Sequence, residues 1–134
     1  MLITKDGFSL ELIRISRSPI EKKLKHTEKK FTKGMLPQEV AEIVIQNFRS
    51  NPNIINQQIL SNIPAEIGGY PGFNIRVSFQ TKDGLTKKSV VYGFLSGNSY
   101  YEILYEAPER YYFEKHESDF ERVKENFKLL QDNV

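Results

Sequence analysis

Apolar residues recur at every second position through the middle of the chain. Phe73, Ile75, Val77 and Phe79 alternate with Asn74, Arg76, Ser78 and Gln80, the pattern of a strand with one buried and one wetter face. Val90, Tyr92 and Phe94 continue the pattern, and Tyr101, Ile103 and Tyr105 then alternate with Glu102, Leu104 and Glu106. Between the runs lie Asp83-Gly84 and Gly97-Asn98, pairs suited to two-residue hairpin turns; an Asp-Gly pair supplies the positive φ angles of a tight type I′ turn. Three strands joined by short turns predict an antiparallel meander. Upstream, Leu2 to Thr4 and Phe8 to Ser16 flank Asp6-Gly7 and predict a further hairpin, whose alternation slips at Leu12-Ile13, where a bulge or a strand covered on both faces is expected. Ile55 to Ile63, diluted by Asn and Gln, predicts a weaker strand near a sheet edge. The string Thr-Lys-Asp-Gly occurs at both Asp-Gly turns, but its flanks do not match, so two hairpins solved alike are expected, not a repeat.

Two other stretches carry helical spacing. Pro37 suits the first helical position, where its missing N–H costs nothing, and Glu39 falls in the first turn, at the positive end of the dipole. Val40, Ile43, Val44 and Phe48 then form one apolar stripe, which Asn51-Pro52 ends. Near the C-terminus, Ser118 and Glu121 have capping-box spacing, and Phe120, Val123, Phe127 and Leu130 follow on one face. Between Pro19 and Met35 only Ile20, Leu24 and Phe31 are buriable among many lysines, which predicts a mobile basic loop with at most one turn of helix.

At 134 residues the chain suits a single domain, 1–134, able to bury a core without staples. The elements predict an α+β fold: an antiparallel sheet of about five to six strands packed between helices. There is no cysteine, which excludes disulfides, thiolate metal sites and a cysteine nucleophile. No apolar run approaches the roughly 18 residues of a membrane span. The net charge of +2 is unevenly spread: residues 1–36 carry +5, residues 37–97 carry +1 and residues 98–134 carry −4. The chain is therefore basic at the front and acidic at the back, and whether these regions neutralise each other or form a dipole depends on the fold. The first residues show no basic, apolar and cleavable leader pattern, which fits either a cytoplasmic protein or one whose leader precedes this chain.

Few residues offer chemistry. The basic segment supplies Lys22, Lys23, Lys25, Lys29 and Lys30 as a candidate surface for an acidic partner. Nucleic acid is not expected, because interleaved aromatics on a sheet face are missing there and the element order is wrong for an RNA-recognition fold. A solvated loop balanced by the acidic C-terminal region is the simpler reading. Among the tyrosines, Tyr101 and Tyr105 share a face with Ile103 and are expected in the core, whereas Tyr111 and Tyr112 are the surface candidates for stacking. Gly68 to Phe73 is glycine-rich without phosphate-loop spacing and enters a strand. It predicts a bend with backbone crowding that only glycine allows, and Tyr70 is the candidate to line a groove there. His116, Glu117 and Asp119 lie too close together to converge on a metal, no Gly-x-Ser-x-Gly elbow exists, and the Glu117, Glu121 and Glu125 row reads as a solvated helix stripe. No catalytic residue, metal or cofactor is expected.

The string Tyr100-Tyr101-Glu102-Ile103-Leu104-Tyr105-Glu106-Ala107-Pro108, followed by Tyr111-Tyr112, Phe120-Glu121-Arg122-Val123 and Asn126-Phe127, resembles the PsbP-like family, the fold of photosystem II extrinsic proteins and the Mog-type Ran-release factor. Thr81 to Gly84 and Pro64 to Phe73 also look like short bacterial lipoproteins of this fold. The resemblance implies an α/β/α sandwich and a binding or assembly role, with no catalytic residues to transfer and neither photosystem nor Ran function carried over. The expectation is a non-enzymatic protein-binding or assembly module. It would be the soluble domain of an exported or lipid-anchored bacterial protein, periplasmic or envelope-associated if a leader was removed and cytoplasmic otherwise. A small-molecule carrier using a groove near Gly68–Phe73 is the alternative, and an enzyme of unknown type comes third.

Overall fold

A computed structural model describes residues 2–3, 12–108, 121–122 and 124–125. Among these residues, five strands of eight or more residues and one two-residue strand form an antiparallel sheet, with a helix of 13 residues against it. The strands are β1 (Leu2–Ile3), β2 (Leu12–Pro19), β3 (Ile54–Ile67), β4 (Tyr70–Thr81), β5 (Thr86–Ser96) and β6 (Ser99–Pro108), and the helix is α1 (Pro37–Arg49). In space they run β1-β2-β6-β5-β4-β3. The chain leaves β2, crosses one face of the sheet as a loop and then α1, enters β3 at the far edge, and returns strand by strand until β6 lies beside β2.

The helix follows its expected bounds. Glu39 accepts a hydrogen bond from the Leu36 N–H at 2.8 Å, satisfying a donor at the helix start, and Val40, Ala41, Ile43, Val44 and Ile45 are buried. They pack on Phe73, Ile75, Val77 and Phe79 of β4, with Phe48 edge-on to Phe79 at 5.8 Å.

The opposite face is apolar too. Cross-strand pairing sets Phe73 against Gly93 and Ile75 against Val91, so Val90, Tyr92 and Phe94 point away from α1. With Ile13, Ile67, Ile103, Tyr105 and Ala107 they form a second core. Residues 121–122 and 124–125 are helical and meet this face: the Tyr92 hydroxyl donates to Glu121 Oε1 at 3.2 Å, and Lys124 Nζ lies 5.0 Å from the centre of the Tyr92 ring. Tyr105 and Ile103 are buried as their alternation predicts, whereas Tyr101 is only half-buried.

The turns separate by glycine geometry. Gly68 and Gly69 both have positive φ, 57° and 85°, and close β3 onto β4 as a two-residue hairpin. At Gly97-Asn98 only Gly97 has positive φ, 60°. The tight type I′ turn expected at Asp83-Gly84 is replaced by a longer loop. Gly84 N–H donates to the Thr81 carbonyl and Thr81 N–H to the Leu85 carbonyl, each at 2.9 Å, and among the described residues Asn56 is the sole non-glycine with positive φ. Residues 81–84 therefore make a turn in which Asp83 keeps negative φ and Gly84 is left-handed, and the Thr81 hydroxyl bonds the Asp83 carboxylate. The Asp6-Gly7 turn lies outside the described residues.

The strand expected from Ile55 to Ile63 is the edge strand β3, longer than its apolar pattern suggests and shifted in register between Ile55 and Gln58 and again between Ile59 and Ser61.

Pro19 is the last residue of β2, and from Ile20 to Met35 the chain is an irregular loop, as expected, but its course is anchored. Ile20 and Phe31 are buried, Phe31 packs 4.6 Å from Tyr100, His26 N–H donates to Asn47 Oδ1 at 2.7 Å, and the Thr27 hydroxyl donates to Gln46 Oε1 at 2.9 Å. Two buried side chains and two bonds to α1 supply a hold that counting apolar residues does not reveal.

Candidate functional site

The expected basic surface is exposed at every one of its lysines: Lys22, Lys23, Lys25, Lys29 and Lys30. The described acids of the C-terminal region are engaged elsewhere: Glu102 pairs with Arg14, Glu106 with Lys87, and Glu121 faces Tyr92 and Arg76 on the other side of the sheet. The balance is local. Lys23 pairs with Glu28 at 2.6 Å and holds that carboxyl below its ordinary range through the hydrogen bond and its charge. Lys29 and Lys30 share a shallow depression with Glu39 and Glu42 of α1.

Tyr70 does not line the groove expected beside Gly68–Phe73. Its ring stacks on Phe94 at 4.8 Å, Phe94 stacks on Tyr101 at 5.1 Å, and all three belong to the face away from α1. Strand alternation is the reason: Tyr70 and Phe73 are three residues apart in β4 and so point to opposite faces. A groove does exist there, a cleft of about 210 Å³ between Pro37-Gln38 at the start of α1, Asn62–Ala65 of β3 and Pro71–Phe73 of β4. Gly72, which borders it, is constrained from the other face, because a Cβ at that position would collide with the backbone carbonyl of Gly93. Tyr111 and Tyr112 lie outside the described residues.

Two features went unread in the sequence. The first is the apolar exposure of the β3 edge, a strand whose edge position was expected. Ile55, Leu60 and Ile63 are 46%, 48% and 51% exposed, and they are three of the five large apolar residues exposed among the described residues. Ile63 also borders the 210 Å³ cleft. Within the 14 residues of β3, Glu66 is the single charge.

The second feature is a larger cleft of about 390 Å³ where α1 stops short of covering the sheet. Its floor runs across the strands through Ile75, Val91 and Leu104, which are cross-strand neighbours, and ends at Arg14 of β2. Glu102 and Glu106 flank Leu104 on the same strand face. Glu106 accepts from Ser89 at 3.2 Å and pairs with Lys87 at 3.4 Å. Glu102 accepts from the Tyr100 hydroxyl at 2.7 Å and pairs with Arg14 at 3.5 Å. Burial of Tyr100, with the Glu102 charge beside it, holds the phenol well above its ordinary value and keeps it a donor. The alternation of Glu102, Leu104 and Glu106 marked a wetter face, but the cations and apolar floor that complete it come from β2, β4 and β5.

Among the described residues no group of three His, Cys, Asp or Glu side chains could hold a metal, and no helix is long and apolar enough to cross a membrane. No protein-family model and no curated protein matches the chain.

Proposed function

We propose that this chain is a non-enzymatic protein-binding or assembly module that takes an extended segment of its partner along β3. The exposed apolar row Ile55, Leu60 and Ile63 on an edge strand with one charge carries this reading. An edge presents unpaired backbone donors and acceptors, and strands that must stay solitary carry lysines, inward-pointing charges, prolines or bulges. β3 carries no lysine and a single charge, and its two register shifts and Pro64 protect only part of its length. Main-chain bonds to an added strand give affinity, and pockets for alternate side chains give specificity. The 210 Å³ cleft beside Ile63 is smaller than the roughly 300–1,000 Å³ of small-molecule sites, and it suits one inserted partner side chain better than a carried ligand.

On the same reading the fold is completed as a PsbP-like α/β/α sandwich, the soluble domain of an exported or lipid-anchored bacterial protein. The aromatic string of β6 and the helical residues 121–122 and 124–125 against Tyr92 support it.

The test compares the wild-type chain with Leu60→Lys and Ile63→Lys as immobilised baits in native extract. Side chains this exposed leave the melting temperature within about 2 °C of wild type, since exposed substitutions usually change stability by about 0.5 kcal/mol or less. A partner that saturates the wild type and is lost with both variants is expected. Saturable binding that both lysines leave intact, or no saturable protein at all, overturns the proposal.

A further inference from the structure

We propose that the 390 Å³ cleft is a second binding site, for a small amphiphile with an apolar body and a basic amine. This site meets β3 only at its first residue, Ile54, and does not depend on the protein-docking proposal. Its volume falls within the range of small-molecule sites, and its composition matches theirs: an apolar floor with a few convergent polar groups. Ile75, Val91 and Leu104 provide a continuous apolar path roughly two strand spacings, about 10 Å, wide. Val44, Ile45 and Phe48 of α1 form the wall above it.

Charge decides the polar end. The lining contains two carboxylates, Glu102 and Glu106, against one guanidinium, Arg14. The Tyr100 and Ser89 hydroxyls orient those carboxylates by hydrogen bonds. Their cationic partners sit farther off, Arg14 at 3.5 Å and Lys87 at 3.4 Å, longer than the roughly 2.7–2.9 Å of a strong charge-assisted bond. Each carboxylate has about four acceptor sites, so an incoming ammonium can add a bond beside the resident hydroxyl and cation. The C-terminal end of α1, at Phe48 and Asn51, borders the same cleft and presents the negative end of the helix dipole, which opposes an anion there.

Three ten-carbon probes test this against the intact chain, each below its aggregation concentration: decylammonium, decanamide and decanoate. Binding is followed by backbone amide shifts in two-dimensional NMR. Decylammonium is expected to shift Val91, Leu104 and their neighbours saturably and to bind at least about tenfold more tightly than decanoate, with decanamide between them. Glu102→Gln together with Glu106→Gln keeps the hydroxyl acceptors but removes both charges, and should reduce the preference for the ammonium to within about threefold. The wild-type comparison stands by itself if the double variant does not fold. Decanoate binding as tightly as decylammonium overturns the proposal. So do shifts that map away from the cleft, absence of saturable shifts from all three probes, or a preference that a folded double variant retains.

Discussion

Gly72→Ala isolates one packing constraint. Gly72 lies in β4, opposite Ala65 of β3 and beside the 210 Å³ cleft, and its φ is one that other residues can adopt. An added methyl there would overlap the Gly93 carbonyl oxygen and approach Ile67 Cδ1 at 2.8 Å and Phe94 Cβ at 3.0 Å. The first obstacle is backbone of the neighbouring strand, so relief requires β4 and β5 to separate. Overpacking of this kind costs about 1–3 kcal/mol, and an immovable neighbour places the cost near about 3 kcal/mol, a large part of the roughly 5–15 kcal/mol that keeps a domain folded. For 134 residues, an unfolding entropy of about 2.1 cal/mol/K per residue converts this to a fall of about 10 °C in melting temperature. Gly34→Ala is the control: φ is +85° and nothing lies within 4 Å of its added methyl, so it bears only the left-handed backbone cost of about 1 kcal/mol. Paired thermal and urea unfolding of the two variants makes the comparison. If Gly72→Ala melts within 3 °C of Gly34→Ala, close strand approach is not why glycine occupies position 72.

Three further outcomes follow from the same contacts. Phe31→Ala should cost about 3–5 kcal/mol, because Phe31 is buried against Tyr100, and should speed proteolysis within Lys22–Lys33; a cleavage rate equal to wild type under native conditions counts against the anchoring role. Asn74→Val should leave stability unchanged or raise it by about 1 kcal/mol in urea unfolding. It removes a buried carbonyl with no partner among the described residues, and Tyr92 keeps its bond to Glu121; a loss above about 1 kcal/mol refutes this. Tyr100 binds its proton more tightly folded than unfolded, so the stability it contributes is fully present below its ordinary value near pH 10 and is lost as pH rises beyond it. Tyr100→Phe should therefore flatten the decline of melting temperature above about pH 10, and an unchanged slope would remove Tyr100 as its cause.

What the sequence determined by itself is local: the alternation that makes β4, β5 and β6 strands, the stripe and Pro37 start of α1, and the Gly97-Asn98 pair that closes β5 onto β6. These rest on interactions within a few residues, which periodicity and turn chemistry record directly. Even there, Asp83-Gly84 folded as a longer loop, in which the Thr81 hydroxyl bonds the Asp83 carboxylate. Tertiary structure decided everything that depends on which strands become neighbours. Register put Phe73 and Tyr92 on opposite faces and turned Tyr70 away from its expected groove. The crossover from β2 to β3 left β3 as an edge, which gave Ile55, Leu60 and Ile63 their exposure. Glu102 and Glu106 became the walls of a cleft only when β2 and β5 brought Arg14 and Lys87 beside them. Such pairings are set by the global path of the chain, and no window of sequence contains them.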